Sequence, residues 1–477
     1  MLVDEVMDVD VVKRALEIAG ELGVDEIEVF YGRTISRAIS VEKDIVKPMV
    51  ADMEGLAFRV AKNRNTSFSY TYDLSEEKIR DTIKIAMRSA EMKGPDENYA
   101  GFPNFGSITS EFLSDEIRDI SLGELMEIYE KTHRELTKIK KIFPIGGGVS
   151  YAEGNYRIVN TNGVDSVIKG NVIFIAIYVL TKEIPPNYVF RIMTSRTRDI
   201  DTGDIVRSIK EKAERVTGCK EIKYSGSPDV IFSPTALFQM LTIFLGQIDA
   251  SQIKIGMSPY KKDDLGKEIL SPAISIIDDP QYEKGIFMTN VDFEGTPAKK
   301  KYLVENGKLR TILNDYYHAK TLDIEPSANA IRYSMWGNQD PVMIEPNIMP
   351  WFLRFEGKEK KLEDIFMDID DGFLIEDVMG VHQADPVSGK FAIPALAVRI
   401  RKGEPKYPIR KVMLNGTIAD LLKNADVIST EREPIGFGEY PYMKTRKITV
   451  SSEKSPLKHR IQMKMANLLL RLGIIKF

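Results

Sequence analysis

Histidine and cysteine are the side chains that could bind zinc most readily in this chain of 477 residues. The chain has four histidines, His133, His318, His382 and His459, and its single cysteine is Cys219. Zinc sites commonly take two ligands that lie close together on one element, and no histidine here has such a neighbour in the sequence. The sequence therefore predicts no self-contained zinc site, and we interpret the histidines as structural residues.

The sequence also lacks the motifs that are typical of nucleophilic catalysis and of nucleotide binding. No G-x-S-x-G sequence is present, and Cys219 follows a predicted helix end, where we expect it to be inert. Gly146, Gly147 and Gly148 are not followed by a helical pattern, so they cannot bring a helix N-terminus to a phosphate. We interpret the three glycines as a turn.

Carboxylates are the remaining groups that could act as acid and base. Asp278 and Asp279 precede a proline and are interpreted as a turn. Asp292 and Glu294 are two residues apart, and on a strand this spacing would place both carboxylates on one face. Two like charges at such a distance need a cation or a donor between them. We therefore take Asp292 and Glu294 as candidates for a functional cleft.

The predicted secondary structure changes near residue 225, from mixed helices and strands to mainly strands. Before it, apolar residues recur at helical spacing within residues 12–22, 79–90 and 205–216, with strand-like segments between them. Ser121 and Glu124 form a capping-box sequence that starts a further helix. After residue 225, one apolar helix is followed by about two hundred residues of strand-like pieces separated by turn residues.

We therefore predict an α+β protein. Residues 1–225 form an N-terminal α/β-sandwich-like domain, residues 226–452 form a mainly antiparallel β domain, and residues 453–477 form a basic amphipathic helix. In the last segment, Leu457, Ile461, Met465, Leu468 and Leu472 recur on one face among lysines and arginines. We expect this helix to dock on the protein rather than to contact a membrane.

Composition narrows the possible partners. The formal net charge of −4 gives no cationic field for nucleic acid, and the longest apolar run, residues 172–180, is too short to span a membrane. A single cysteine and an acidic, non-hydrophobic start to the sequence favour the cytoplasm. We expect no nucleic-acid binding and no transmembrane segment.

Several motifs beyond residue 225 resemble the TldD/PmbA family of peptidase-related proteins. They are DVIFSP at 229–234, IIDDP at 276–280, DFEGTPAKKKYLVENGKL at 292–309 and GVHQADPVSGKF at 380–391. The N-terminal half resembles the family more loosely. In the catalytic type of the family, the helix after the first of these strands carries an H-E-x-x-x-H zinc motif.

The corresponding positions in this sequence are Thr242, Ile243 and Gln247, with Gly246 between them. Threonine and glutamine are poor zinc ligands, and isoleucine cannot activate water. The resemblance thus implies a non-catalytic, TldE-like subunit with no metal or cofactor of its own. It also implies a TldD-type catalytic partner that holds zinc, or a homodimer, and unstructured peptides as substrate. Gln247, Asp292 and Glu294 are then candidate peptide-cleft residues.

Two other functions remain open at this stage. The chain could be a hydrolase in its own right, using Asp292 and Glu294 or a site assembled in a dimer. It could also be a protein-binding regulator without enzymatic activity, which the family's older label of DNA gyrase modulator suggests.

Overall fold

The computed structural model describes residues 2–42, 45–333, 339–471 and 474. Its helices are α1 (Leu2–Glu21), α2 (Glu76–Lys93), α3 (Asp115–Arg118), α4 (Leu122–Thr137), α5 (Thr202–Val216), α6 (Pro234–Gln247), α7 (Ala250–Lys254), α8 (Tyr316–Leu322), α9 (Leu362–Met367), α10 (Ile418–Lys423) and α11 (Leu457–Arg471). None of these helices, over the residues described, combines the length and the apolar character that a membrane span requires.

The strands fall into an N-terminal and a C-terminal group. The first group is β1 (Glu26–Glu42), β2 (Ile45–Lys62), β3 (Asn65–Thr71), β4 (Thr109–Phe112), β5 (Ile142–Asn160), β6 (Asp165–Thr181) and β7 (Tyr188–Ser195). The second is β8 (Tyr224–Gly226), β9 (Asp229–Phe232), β10 (Ile274–Asp278), β11 (Lys301–Glu305), β12 (Lys308–Leu309), β13 (Ala330–Ile331), β14 (Asn347–Ile348), β15 (Leu353–Gly357), β16 (Glu359–Lys360), β17 (Asp371–Val378), β18 (Lys390–Arg401), β19 (Glu404–Thr417), β20 (Val427–Ile435), β21 (Gly438–Thr445) and β22 (Thr449–Ser452).

The N-terminal sheet has the order β3-β2-β1-β5-β6-β4, with β7 paired to β6. All its pairs are antiparallel except β4 with β6. Helices α1 and α2 pack on β1 and β2, while α4 and α5 cover β5 to β7. The predicted capping box starts α4, because the Glu124 amide donates to Ser121 Oγ at 3.2 Å and the Ser121 amide donates to Glu124 Oε2 at 2.8 Å.

The three glycines interpreted as a turn lie inside strand β5, so that expectation was wrong. A Cβ atom on Gly146 would lie 2.3 Å from the carbonyl oxygen of Val41, and one on Gly147 would lie 2.3 Å from that of Ala176. The glycines therefore allow the backbones of β1 and β6 to approach β5 more closely than a side chain would permit.

The C-terminal sheet follows the order β12-β11-β10-β15-β21-β9-β17-β18-β19-β22-β8 and is mainly antiparallel. Helix α6 packs on β21 and β17 and buries Leu237, Met240 and Phe244 in the largest apolar core. The predicted α+β class, with mainly antiparallel sheets, is confirmed.

The two domains share a buried aromatic contact. Phe30 and Tyr156 of the N-terminal sheet stack with ring centroids 5.7 Å apart, and Phe293 of the C-terminal domain meets both rings edge-on. Trp351 stacks on the other side of Phe293 at 6.1 Å. Because this cluster is buried and formed by both domains, the N-terminal sheet and the C-terminal domain are packed as one body.

Candidate functional site

A cleft of about 450 Å³ lies between helix α6 and the segment that follows β17. The helix contributes Phe238, Gln239, Thr242, Ile243 and Gly246 to its wall. The opposite wall comes from residues 378–386 and includes His382. The cleft therefore borders Thr242 and Ile243, two of the three helix positions that the family motif would occupy.

The local sequence explains the orientation of α6. Ser233 is the N-cap and accepts a hydrogen bond from the amide of Ala236 at 3.3 Å, and Pro234 occupies the first turn, where a missing amide costs nothing. Phe238, Thr242 and Gly246 follow at intervals of four and share one face, which is the face that borders the cleft. The other faces carry the apolar residues of the core.

Thr242 and Ile243 bring no titratable group to the cleft. Thr242 is half-buried, and its hydroxyl donates to the Gln239 carbonyl one turn earlier at 2.7 Å. Ile243 is buried and purely apolar. These two side chains can shape a ligand surface, but neither can polarise a water molecule or a scissile carbonyl.

Gln247 lies outside the cleft, although the sequence made it a candidate for peptide contact. Its side chain is only 2% exposed, and its amide nitrogen donates to the carbonyls of Pro386 at 3.3 Å and Val387 at 3.2 Å. Within the described part of the chain, its Oε1 has no hydrogen-bond partner. Gln247 therefore ties helix α6 to the opposite wall and fixes the width of the cleft.

This arrangement does not fit zinc. Gln247 turns its donor nitrogen towards two carbonyl groups, so the family position with the best remaining ligand is already used in a structural contact. Among the residues that the structure describes, His382 is the only histidine that lines the cleft, and Thr242 and Ile243 offer it no partner ligands. Over residues 2–42, 45–333 and 339–471, no group of three or more His, Cys, Asp or Glu residues is placed to hold a metal ion.

Asp292 and Glu294 lie in a turn between Val291 and Pro297, not on a strand. The expectation of two carboxylates side by side on a strand face was therefore wrong. Asp292 accepts hydrogen bonds from the amides of Glu294 at 2.9 Å and Thr296 at 2.8 Å. Both carboxylates are buried and border the domain contact rather than the cleft, so they offer a peptide no exposed surface.

Glu294 is part of a buried cluster of four charges, Glu28, Arg59, Glu294 and Arg332. Arg59 lies between the two acids, with nitrogens 2.5 Å from Glu28 Oε2 and 2.5 Å from Glu294 Oε1. Arg332 adds a contact of 3.3 Å to Glu28 Oε1. Burial raises the pKa of Glu294 and of Asp292, and it lowers the pKa of Arg332 to about 10. The cluster joins β1 and β2 to the DFEGTP turn.

Cys219 has no features of a reactive thiol. Burial raises its pKa to about 11, so the thiolate form is scarce near neutral pH. Its expected inertness therefore agrees with its surroundings.

The sequence did not predict that Gln239 and Asp377 join helix α6 to the end of strand β17. Gln239 on α6 accepts a hydrogen bond through Oε1 from the Val378 amide at 3.2 Å, and its side chain also bonds the Asp377 carboxylate. Strand β17 has a bulge between Ile375 and Asp377, which is where the pairing register with β18 shifts. At this bulge the Asp377 side chain contacts α6, and no feature of the local sequence predicts the bulge.

Asp377→Asn is expected to make stability less sensitive to pH. Burial raises the pKa of Asp377 to about 6, above the value of roughly 3.9 in an unfolded chain. The carboxyl's contribution to stability is therefore complete below about pH 4 and is lost as the pH rises through about 6. Relative to wild type, the variant should gain roughly 1–3 kcal/mol between pH 4.5 and pH 7, measured by urea unfolding.

Asp385→Asn provides the control for the same chemical change. The pKa of Asp385 is lowered by the backbone amide of Ser388, so its stabilising contribution is lost as the pH falls, which is the opposite direction. An Asp377→Asn curve parallel to that of wild type would contradict the raised pKa of Asp377.

The fold of two α+β domains with a cleft beside α6 corresponds to a known class of metallopeptidase domains. The family model described as the PmbA/TldA metallopeptidase C-terminal domain matches residues 225–452, and the model of PmbA/TldA metallopeptidase domain 1 matches residues 27–90. The chain belongs to the TldD/PmbA family.

Individual relatives cover nearly the whole chain. An uncharacterized protein of Methanocaldococcus jannaschii is 25% identical over 85% of this chain and 92% of its own length. A metalloprotease PmbA homolog of Buchnera aphidicola is 22% identical over 90% of this chain and 93% of its own length. The crystal structure of TldE from Thermococcus kodakarensis matches with a TM-score of 0.80 and 24% identity, over 92% of this chain and all of that chain. That similarity shows a shared fold.

Proposed function

We propose that this chain is a non-catalytic, TldE-like subunit of a TldD/TldE-type zinc metallopeptidase complex that processes unstructured peptides in the cytoplasm. The observation that carries the proposal is the wall of the cleft, where α6 presents Thr242, Ile243 and Gly246 and uses Gln247 as a structural tie. The helix of the peptidase fold is present without groups that could bind zinc or act as a general base. Zinc and catalysis are then supplied by a TldD-type partner.

A long free strand edge supports association with a second chain. Strand β2 pairs with β1 over Ile45–Ala61, but β3 covers it only from Leu56 onward. Among the described residues, the outer edge of residues 45–55 is therefore unpaired. It carries Ile45, Val46, Met49, Val50 and Met53, which are 37–64% exposed.

An exposed edge of this length can pair with another chain on either side of Lys47 and Pro48, the two residues of the segment that oppose strand pairing. The same edge could also receive an extended peptide as an added strand, since such pairing uses backbone groups and accepts many sequences. Both uses suit a subunit that encloses unfolded substrates together with a partner.

Co-purification with a TldD-type chain from the same cell tests the proposal. We expect a tight one-to-one complex that cleaves an unfolded peptide such as reduced casein, with one zinc per complex located in the partner. Val46→Lys combined with Val50→Lys should prevent assembly, because lysines on an edge oppose strand pairing. Ile85→Lys combined with Met92→Lys, at exposed apolar positions on α2, is the matched control and should still assemble.

The proposal fails if the isolated chain contains one zinc per molecule and cleaves the unfolded peptide by itself. It also fails if no TldD-type chain binds and the chain forms a homodimer with peptidase activity. In that case the function would be that of an independent hydrolase.

A further inference from the structure

Helix α11 presents an apolar stripe to solvent. Leu457, Ile461, Met465 and Leu468 lie at helical spacing and are 54–67% exposed. Leu472, the fifth residue of the predicted stripe, lies outside the described residues. The sequence led us to expect docking on the protein, and the stripe is not the face that docks. The helix thus keeps its most hydrophobic surface outside the fold, which is costly in water unless something covers it.

Polar contacts fix the opposite face of α11 to the protein. The Asn467 side chain accepts from the Ile184 amide at 2.8 Å and donates to the Ile184 carbonyl at 2.8 Å, like a strand partner. At the start of the helix, the Ser455 amide and hydroxyl both donate to Glu221 at 2.8 Å. These directional bonds at both ends determine which face points outward.

Basic residues border the exposed stripe. Lys458 lies on one side and Lys464 on the other, and both are exposed. Residues 451–477 contain six lysines or arginines and one acidic residue, in a chain whose overall formal charge is −4. Positive charge is therefore concentrated around the apolar stripe, while the rest of the chain is acidic.

We infer that α11 is a membrane-surface helix that binds anionic lipids, with the stripe at the level of the acyl chains and the lysines at the headgroups. An apolar face that runs along most of the helix and is bordered by lysines fits the interface between the headgroups and the acyl chains of a bilayer. Negatively charged headgroups complement the basic border. A second copy of the same helix is a poorer occupant, because two-fold pairing of the stripes would place basic borders against each other.

This surface is separate from the cleft and from the edge of β2, so the inference stands independently of the proposed function. It does not require a membrane span, since the helix lies along the surface. Its effect would be to hold the chain at an acidic lipid surface.

Sedimentation of the full-length protein with lipid vesicles tests the inference. We expect the protein to pellet with vesicles of phosphatidylcholine and phosphatidylglycerol in a 3:1 ratio, and to remain in solution with phosphatidylcholine alone. Ile461→Glu combined with Met465→Glu should weaken binding at least about tenfold, because it places charge in the apolar stripe. Lys458→Gln combined with Lys464→Gln should weaken it about tenfold and reduce its sensitivity to salt.

Ile85→Glu combined with Met92→Glu is the matched control, since it makes the same type of change at exposed positions of α2. This variant should bind the anionic vesicles as wild type does. The inference is overturned if wild type does not bind anionic vesicles, or if the control loses binding as fully as the α11 variant. It is also overturned if Ile461→Glu with Met465→Glu leaves vesicle binding intact. A wild-type protein that is oligomeric and binds no lipid, and that becomes monomeric with the same two substitutions, would likewise overturn it.

Discussion

Arg59→Met is expected to lower the free energy of unfolding by roughly 3–5 kcal/mol. Arg59 is the cation between Glu28 and Glu294, with nitrogen-to-oxygen distances of 2.5 Å to each. Both acids are almost fully buried, so removing the guanidinium leaves Glu294 without the cation that contacts it and leaves Glu28 with Arg332 alone, in a medium that solvates charge poorly. Urea unfolding followed by tryptophan fluorescence measures the loss, since Trp351 stacks on Phe293 at the same domain contact.

Arg33→Met is the matched control on the same β1–β2 ribbon. Arg33 also forms two hydrogen bonds to one carboxylate, that of Asp52, at 3.0 Å each, but this pair is exposed to solvent. The expected loss is below about 1 kcal/mol. Arg59→Met combined with Glu294→Gln should recover part of the stability, because it removes the buried carboxylate that has lost its cation. Equal losses in the two arginine variants would contradict the structural role of the cluster.

Gly246→Phe is expected to reduce peptide cleavage by the proposed TldD/TldE-type complex at least about tenfold. Gly246 lies on the cleft face of α6, and a Cβ atom there would meet nothing within 4 Å. A phenyl ring at this position would therefore extend into a cleft of about 450 Å³ without disturbing the core. The measurement is kcat/KM for an unfolded peptide, together with co-purification to show that the complex still forms.

Gly20→Phe controls for replacing a helical glycine with an aromatic residue. Gly20 lies near the end of α1, is exposed and likewise has open space around its Cβ position. This variant should cleave peptide at the rate of wild type. If Gly246→Phe also leaves kcat/KM unchanged, the cleft beside α6 does not receive the substrate.

The sequence predicted most of the helices because their signals are local. Apolar residues at helical spacing and the Ser121–Glu124 capping box need only neighbouring residues to act, and α2, α4, α5 and α6 all form where these signals occur. The α+β class followed from the same patterns, and the family followed from motifs in the second half of the chain.

The roles of the acidic motif and the glycines could not be predicted, because they depend on distant partners. Glu294 meets an arginine 235 positions earlier in the chain, and Gly147 is needed because β6 passes close to its backbone. The residues next to Glu294 and Gly147 in the sequence do not predict either contact. The zinc-motif positions follow from the family resemblance, but the hydrogen bonds of Gln247 to the carbonyls of Pro386 and Val387 are visible only in the structure.

The buried charge cluster has a consequence for the order in which the chain is made. Glu28 and Arg59 leave the ribosome well before Glu294 and Arg332, and they already form a neutral pair within one sheet. The later half then brings one acid and one base of its own. Because Glu28 and Arg59 already neutralise each other, the N-terminal sheet can fold during synthesis before the later half supplies Glu294 and Arg332.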